Sequence, residues 1–92
     1  MNRVYLNNLY DLYNKLLNDH ERLIFEDYYH NDLSLSEIAD NEGVTRNAIH
    51  KSLKTTESKL IDYEEKLNFY EKKNKILNAI ENNKIEEITK LL

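Results

Sequence analysis

The sequence predicts an all-α fold of about five helices, with a wingless helix-turn-helix and a long C-terminal helix. Proline is absent and glycine occurs once in 92 residues, so the chain lacks the turn residues that an all-β sandwich needs. Apolar side chains recur at steps of three and four residues, which is the spacing of one face of an α-helix. A chain of this length holds one hydrophobic core, and we therefore assign residues 1–92 to one domain.

An apolar stripe and a capping pattern predict the first two helices. The stripe consists of Tyr5, Leu6, Leu9, Tyr13, Leu16 and Leu17. Asn18 and Glu21 have the spacing of a capping box, in which each side chain bonds the backbone amide of the other residue. The first helix is therefore expected to end near Leu17, and the second to begin near Asp19. The core side of the second helix is expected to hold Leu23, Ile24, Phe25 and Tyr28.

Ser34 and Glu37 repeat the capping-box spacing and predict the start of a short third helix. Gly43 lies where that helix must stop, because glycine adopts the left-handed conformation at little cost. Thr45 is a good N-cap residue for the next helix. These signals predict two helices joined by a short turn.

The spacing of small and apolar residues around this turn predicts a helix-turn-helix within residues 34–56. That motif needs a small residue where its helices cross, which Ala39 supplies, and a turn glycine four residues later, which is Gly43. It also needs a buried aliphatic residue after the turn and another one helical turn later. Val44 and Ile49 occupy those two positions, and both are expected to be buried.

No helix breaker follows Thr45 for almost forty residues, which predicts one long helix. Its apolar seam has heptad spacing and consists of Ile49, Leu53, Thr56, Leu60, Tyr63, Leu67, Tyr70, Asn74 and Leu77. Such a helix is longer than a small domain can cover, so part of the seam is expected to be exposed in a monomer. We therefore predict a homodimer through residues 57–92, with Leu60, Tyr63, Leu67, Tyr70 and Leu77 at the interface. Alternatively, a terminal stripe covers the seam within the same chain, and its members are Ile85, Ile88, Leu91 and Leu92.

The second helix of the motif carries the candidate nucleic-acid-binding residues. Arg46, Asn47 and His50 are the candidates for reading bases, because arginine and asparagine can form paired hydrogen bonds with guanine and adenine. Lys51 and Lys54, together with Thr45, are expected to lie nearer phosphates. The alternative is an ordinary solvated helix face, and the net charge of −4 disfavours non-specific binding to a polyanion.

Composition and motif patterns disfavour most other functions. One glycine excludes glycine-rich phosphate loops, and the absence of cysteine removes disulfides, thiolate zinc sites and cysteine nucleophiles. The three histidines lack metal-ligand spacing, and no histidine and carboxylate support a hydroxyl nucleophile. No apolar run approaches 18 residues. We therefore expect a cytoplasmic protein that is not an enzyme, with no cofactor, metal, small-molecule substrate or membrane insertion.

Seven segments of the chain carry a family resemblance. They are Leu16–Asn18, Glu21–Arg22, Tyr28–Tyr29, Asp32–Ala39, Thr45–Ile49, Lys54–Glu57 and Tyr63–Leu67. Together they resemble the YlxM-like family of small bacterial proteins over nearly the whole chain, and the helix-turn-helix is also similar to region 4 of sigma-70-type sigma factors. Glu42 departs from the aromatic residue that is common before the glycine in this motif.

The resemblance implies an all-helical fold and a regulatory role that involves nucleic acid. Members of the family are encoded near the gene of the signal recognition particle GTPase and are assigned to that pathway by this proximity. The resemblance thus implies a DNA-binding regulatory or accessory protein of that pathway, with the particle's RNA and its GTPase as further candidate partners. The alternative is a protein-interaction module, a dimeric helical adaptor without nucleic-acid binding.

Overall fold

The computed structural model describes residues 2–82 and residue 90, and its elements confirm the predicted all-α fold with five helices. The helices are α1 (Arg3–Tyr13), α2 (Asp19–Tyr29), α3 (Leu35–Glu42), α4 (Arg46–Leu67) and α5 (Phe69–Glu81). A 3₁₀ turn, Asn14–Leu16, connects α1 to α2. Over the described ranges there is no strand, and no helix is long and apolar enough to cross a bilayer.

Helix α1 ends four residues earlier than the apolar stripe predicts. The Asn14 side chain donates to the carbonyl oxygen of Tyr10 at 2.9 Å, and the chain then tightens into the 3₁₀ turn. The change of period turns Leu16 outward, so that it is 55% exposed, whereas Leu17 is buried. Tyr10, which the stripe omits, is buried and stacks on Phe25 with ring centroids 4.4 Å apart.

Helix α2 begins at the predicted capping box. The Asn18 side chain accepts from the Glu21 amide at 2.8 Å, and the Glu21 carboxylate accepts from the Asn18 amide at 2.9 Å. Ile24 and Phe25 are fully buried as expected, but Leu23 is 42% exposed, and its assignment to the core is wrong. Leu23 lies on the side of α2 that faces solvent, because Ile24 and Phe25 already fill the side that faces the core.

The other end of α2 is held by Arg3. Its guanidinium donates to the carbonyl oxygen of Tyr29 at 2.7 Å and forms an ion pair with Asp32 at 3.1 Å. A cation at a helix C-terminus also interacts favourably with the helix dipole. These contacts attach α1 to α2 at the end of α2 away from the capping box.

Helix α4 forms the centre of the fold, because α1, α2 and α3 all pack against it. Ile49, Leu53, Thr56 and Leu60 are buried at its inner face. The first half of the predicted seam therefore belongs to the core of this same chain. Because Leu60 is predicted at the dimer interface, it is expected to be partly exposed in a monomer. That expectation is wrong, since its exposed fraction is 0%.

The single long helix that the sequence predicts is broken at Asn68. This residue adopts a left-handed conformation with φ +56°, which asparagine tolerates better than most residues do. The Glu64 carboxylate accepts from the amides of Tyr70 at 3.0 Å and Glu71 at 3.2 Å, and so caps the start of α5. The Tyr13 hydroxyl donates to the same carboxylate at 2.6 Å and accepts from the Phe69 amide at 3.1 Å.

Helix α5 contacts α1 near its own first turn, where the rings of Tyr70 and Tyr5 meet edge to face at 5.4 Å. Leu77 and Ile80, farther along α5, are 48% and 56% exposed. The helix ends at Glu81, and Asn82 is its C-cap residue. The predicted terminal stripe lies outside the described residues, and its members are Ile85, Ile88, Leu91 and Leu92.

Candidate nucleic-acid interface

The turn between α3 and α4 is built from backbone hydrogen bonds. Gly43 has φ +67°, as predicted, and its amide donates to the carbonyl oxygen of Asp40 at 3.4 Å. The Val44 amide donates to the carbonyl oxygen of Ala39 at 3.1 Å, which completes a Schellman motif. Val44 is 46% exposed, so the expectation that its side chain is buried is wrong. Its amide anchors the turn instead.

The packing beneath this turn follows the helix-turn-helix pattern. Ala39 is buried, as the close approach of two helices requires, and Ile49 of α4 is buried as well. Ser34 and Glu37 form the capping box that begins α3, with both amide contacts at 3.1 Å. The Thr45 hydroxyl accepts from the Ala48 amide at 3.1 Å and caps α4. Both helix starts are thus fixed by side chains that the sequence singled out.

The first three turns of α4 present one polar face to solvent. Its members, which we call the reading face, are Arg46, Asn47, His50, Lys51 and Lys54, and all five are exposed. The spacing places Asn47, His50, Lys51 and Lys54 on one side of the helix, away from the buried Ile49 and Leu53. Arg46, seven residues before Leu53, lies at the border of this face in the first turn and is exposed. The structure therefore brings together the residues that the sequence proposed for nucleic-acid contact, with Thr45 at the edge of this face.

The cations of the reading face differ in their pairing. Within the described part of the chain, Arg46 and Lys51 form no ion pair. Lys54 lies 3.5 Å from the carboxylate of Glu57, which is buried and also accepts from the Tyr29 hydroxyl at 2.7 Å. Burial and this hydrogen bond raise the pKa of Tyr29. Arg46 and Lys51 are therefore the two cations of the reading face that no carboxylate of the described residues neutralises.

Three glutamates are buried, which the sequence patterns do not predict: Glu57 and Glu64 are not singled out, and Glu21 is identified only as a capping residue. Glu57 holds Tyr29, Glu64 caps α5, and Glu21 pairs with Lys59 of α4 at 2.5 Å. Burial opposes ionisation of Glu21, but the contacts with Lys59 and with the Asn18 amide outweigh it and lower its pKa. A usable signal exists in the sequence, since Glu57 and Glu64 are seven residues apart and so share one helix face.

The structure separates the residues proposed for dimerisation. Leu60 is fully buried, and Tyr63 is half-buried and donates to the carbonyl oxygen of Leu16 at 3.2 Å. Tyr70 is half-buried against α1, whereas Leu67 and Leu77 are exposed on opposite sides of the break at Asn68. Among the residues that the structure describes, no three histidine or carboxylate side chains lie together as a metal site requires.

Comparison with known proteins places these features in a family context. Residues 1–91 match the family described as "Putative helix-turn-helix protein, YlxM / p13 like", UPF0122. A UPF0122 protein of Fusobacterium nucleatum is 46% identical over 69 residues, which cover 75% of this chain and 67% of that protein. One from Caldanaerobacter subterraneus is 44% identical over 79 residues, covering 86% and 66%. The chain thus spans about two thirds of the length of these relatives.

Proposed function

We propose, starting from the fact that this chain belongs to the UPF0122 family of YlxM/p13-like helix-turn-helix proteins, that it binds duplex DNA through the reading face. One observation carries this proposal. The side chains of Arg46, Asn47, His50 and Lys51 are exposed and make no hydrogen bond or ion pair with the described residues, although the backbone beneath them is fixed at both helix starts. Hydrogen-bonding groups held on a rigid element without internal partners are available to a ligand.

The chemistry of the reading face suits a major groove. In a helix-turn-helix, the N-terminal residues of the second helix approach base edges. Arg46 and Asn47 can form paired hydrogen bonds with guanine and adenine. Lys51 and Lys54, with Thr45 beside them, serve as phosphate contacts that set the register. Lys54 contributes less than Lys51, because Glu57 already neutralises part of its charge.

A salt-titrated binding assay with a fluorescent 50-mer duplex tests the proposal. The triple variant R46A/K51A/K54A removes three cations from the reading face, and K72A/K73A/K75A removes three cations from α5 as a matched control. The first is expected to weaken binding at least tenfold and to lower the slope of log K against log salt by about three. The control is expected to retain the slope. Equal effects of the two variants would contradict a reading face on α4.

Single substitutions separate the two kinds of contact. R46A is expected to reduce the preference among duplexes of different sequence, whereas K51A is expected to weaken binding to all duplexes alike. Competition between labelled duplexes of unrelated sequence measures the difference. If R46A weakens every duplex equally, Arg46 contacts phosphate and does not read bases.

The cellular role that we propose is an accessory function in the signal recognition particle pathway, in the cytoplasm. The support for this role is the family resemblance and the location of family genes near that of the particle's GTPase. The same salt titration with the particle's RNA, and calorimetry with the GTPase, test the two partners. Absence of binding to both would remove the pathway from the proposal and leave DNA binding intact.

The second candidate function is a protein-interaction module, and exposed apolar side chains at the end of the molecule away from the reading face favour it. Leu67 is 36%, Phe69 48% and Leu77 48% exposed. A homodimer through residues 57–92 would cover them. Sedimentation equilibrium at tens of micromolar is expected to give twice the mass of 11.1 kDa. L67E is expected to reduce it to a monomer, while E65Q, with a polar change at an exposed site, is expected to leave the dimer intact.

A further inference from the structure

We infer that a polar cleft between α2 and α4 binds a backbone phosphate of duplex DNA beside the reading face, and this inference rests on the proposed function. The cleft has a volume of about 190 Å³. The residues that line it, which we call the flanking cleft, are His20, Glu21, Lys51, Ser52 and Thr55. Lys51 belongs to both surfaces, so a duplex lying on the reading face passes the cleft.

The flanking cleft offers donors that an anionic oxygen can use. Lys51 is exposed and forms no ion pair with the described residues, and the His20 ring is exposed in the first turn of α2. The Ser52 side chain makes no hydrogen bond there, whereas the Thr55 hydroxyl already donates to the carbonyl oxygen of Lys51 at 3.0 Å. The ammonium of Lys51, the imidazole of His20 and the hydroxyl of Ser52 therefore line the cleft with donors available to a ligand. Thr55 lines the cleft but offers no free donor.

The carboxylates near the cleft are already neutralised. Glu21 accepts from the Asn18 amide with one oxygen and pairs with Lys59 through the other. Asp19, the neighbour of His20, forms an ion pair with Arg22. These pairs leave the charge of Lys51 uncompensated, so the cleft attracts a phosphate although the chain as a whole carries a net charge of −4.

The size and rigidity of the cleft fit this occupant. A volume of about 190 Å³ is room for a phosphate group with part of its hydration. The capping box and the Glu21–Lys59 pair fix the first turn of α2 relative to α4. His20 and Ser52 are thus positioned before the ligand arrives, and binding requires little further ordering of the backbone.

The experiment compares substitutions within the cleft, using fluorescence anisotropy with three 25-base-pair duplexes of unrelated sequence. H20A/S52A is expected to weaken binding about tenfold for all three duplexes, because a phosphate contact carries no sequence information. K51A is expected to lower the salt slope by about one. T55A is the matched control and is expected to change binding less than twofold, since its donor is already used inside the protein.

The outcomes separate the cleft from the proposed function. If H20A/S52A binds as the unchanged protein does while R46A is weakened, the cleft is overturned and DNA binding stands. If the unchanged protein binds none of the duplexes, both are overturned. If millimolar inorganic phosphate binds in calorimetry, and H20A/S52A abolishes that binding without weakening any duplex, the cleft is a site for free anions and the duplex contact is overturned. A loss with T55A as large as that with H20A/S52A would also overturn the assignment of donors.

Discussion

Loss of the Glu64 carboxylate is expected to destabilise the fold by an amount that can be calculated, because three hydrogen bonds converge on this buried group. It accepts from the Tyr13 hydroxyl at 2.6 Å, the Tyr70 amide at 3.0 Å and the Glu71 amide at 3.2 Å. The residue is only 8% exposed, so water cannot readily replace these bonds. E64A would therefore leave a buried hydroxyl and two helix N-terminal amides without this acceptor.

The size of the effect follows from these bonds. A hydrogen bond to a charged group contributes about 1.5–3 kcal/mol, and loss of an N-cap costs about 0.5–2 kcal/mol. The terms overlap because the capping amides are among the bonded groups, so E64A is expected to lower the free energy of unfolding by about 3–4 kcal/mol. Y13F removes one of these bonds and the acceptor of the Phe69 amide, and is expected to cost about 1–2 kcal/mol.

Urea unfolding followed by circular dichroism at 222 nm measures these values, with E65A as the control because Glu65 is exposed on the same helical turn. The double variant Y13F/E64A is expected to lose about 1 kcal/mol less free energy of unfolding than the two single losses added together, because the two residues share one hydrogen bond. An E64A variant no less stable than E65A would refute the reasoning. Strict additivity in the double variant would refute the direct coupling to Tyr13.

Three further predictions concern the turn and the titrating groups. G43A is expected to cost about 1 kcal/mol in urea unfolding, from the left-handed conformation alone, because an added Cβ at Gly43 meets nothing within 4 Å; no loss would contradict the conformational origin. Burial raises the pKa of Tyr10 and of Tyr13 to about 12 from 10.0, so their contribution to stability is complete below pH 10 and is lost as the pH rises towards 12. Absorbance at 295 nm should therefore show at least three late-titrating tyrosines, because the pKa of Tyr29 is raised as well, and normal titration of all seven would contradict this prediction. Burial raises the pKa of Glu21, but the contacts with Lys59 and with the Asn18 amide together outweigh it, so the pKa is lowered. The stabilisation from Glu21 is therefore present above pH 4.5 and is lost as the pH falls through the folded value; E21Q should flatten acid unfolding in this range.

The local features of this fold are predictable because a few neighbouring residues determine them. The capping boxes at Asn18 and Ser34, the N-cap at Thr45 and the left-handed Gly43 each depend on contacts within about four residues. The exposed reading face follows from helical spacing once the buried positions of α4 are known. These features are fixed by short-range geometry, which the sequence records directly.

The break at Asn68 could not be read from the sequence, since the heptad spacing continues across it. It depends on Glu64 and on Tyr13, which lies 51 residues away from Glu64 along the chain. The half-exposed Val44 is a similar case, because a Schellman turn is anchored by its amide whatever its side chain does. In both cases hydrogen bonds from backbone amides determine the structure, and the pattern of apolar residues does not reveal them.

The unbroken length of α4 has a consequence for how this chain can change by insertion or deletion. Each residue advances an α-helix by about 100°, so one residue added between Ile49 and Leu60 would rotate the downstream segment by more than a quarter turn. Glu64 would then point away from Tyr13, and α5 would leave in another direction. Additions of about seven or eleven residues return the azimuth to within about 20°, but they move Glu64 by about 10 or 16 Å along the helix axis, beyond the reach of Tyr13. Length changes in this part of α4 are therefore expected to disrupt the join to α5, whereas changes after Asn82 leave this angle untouched.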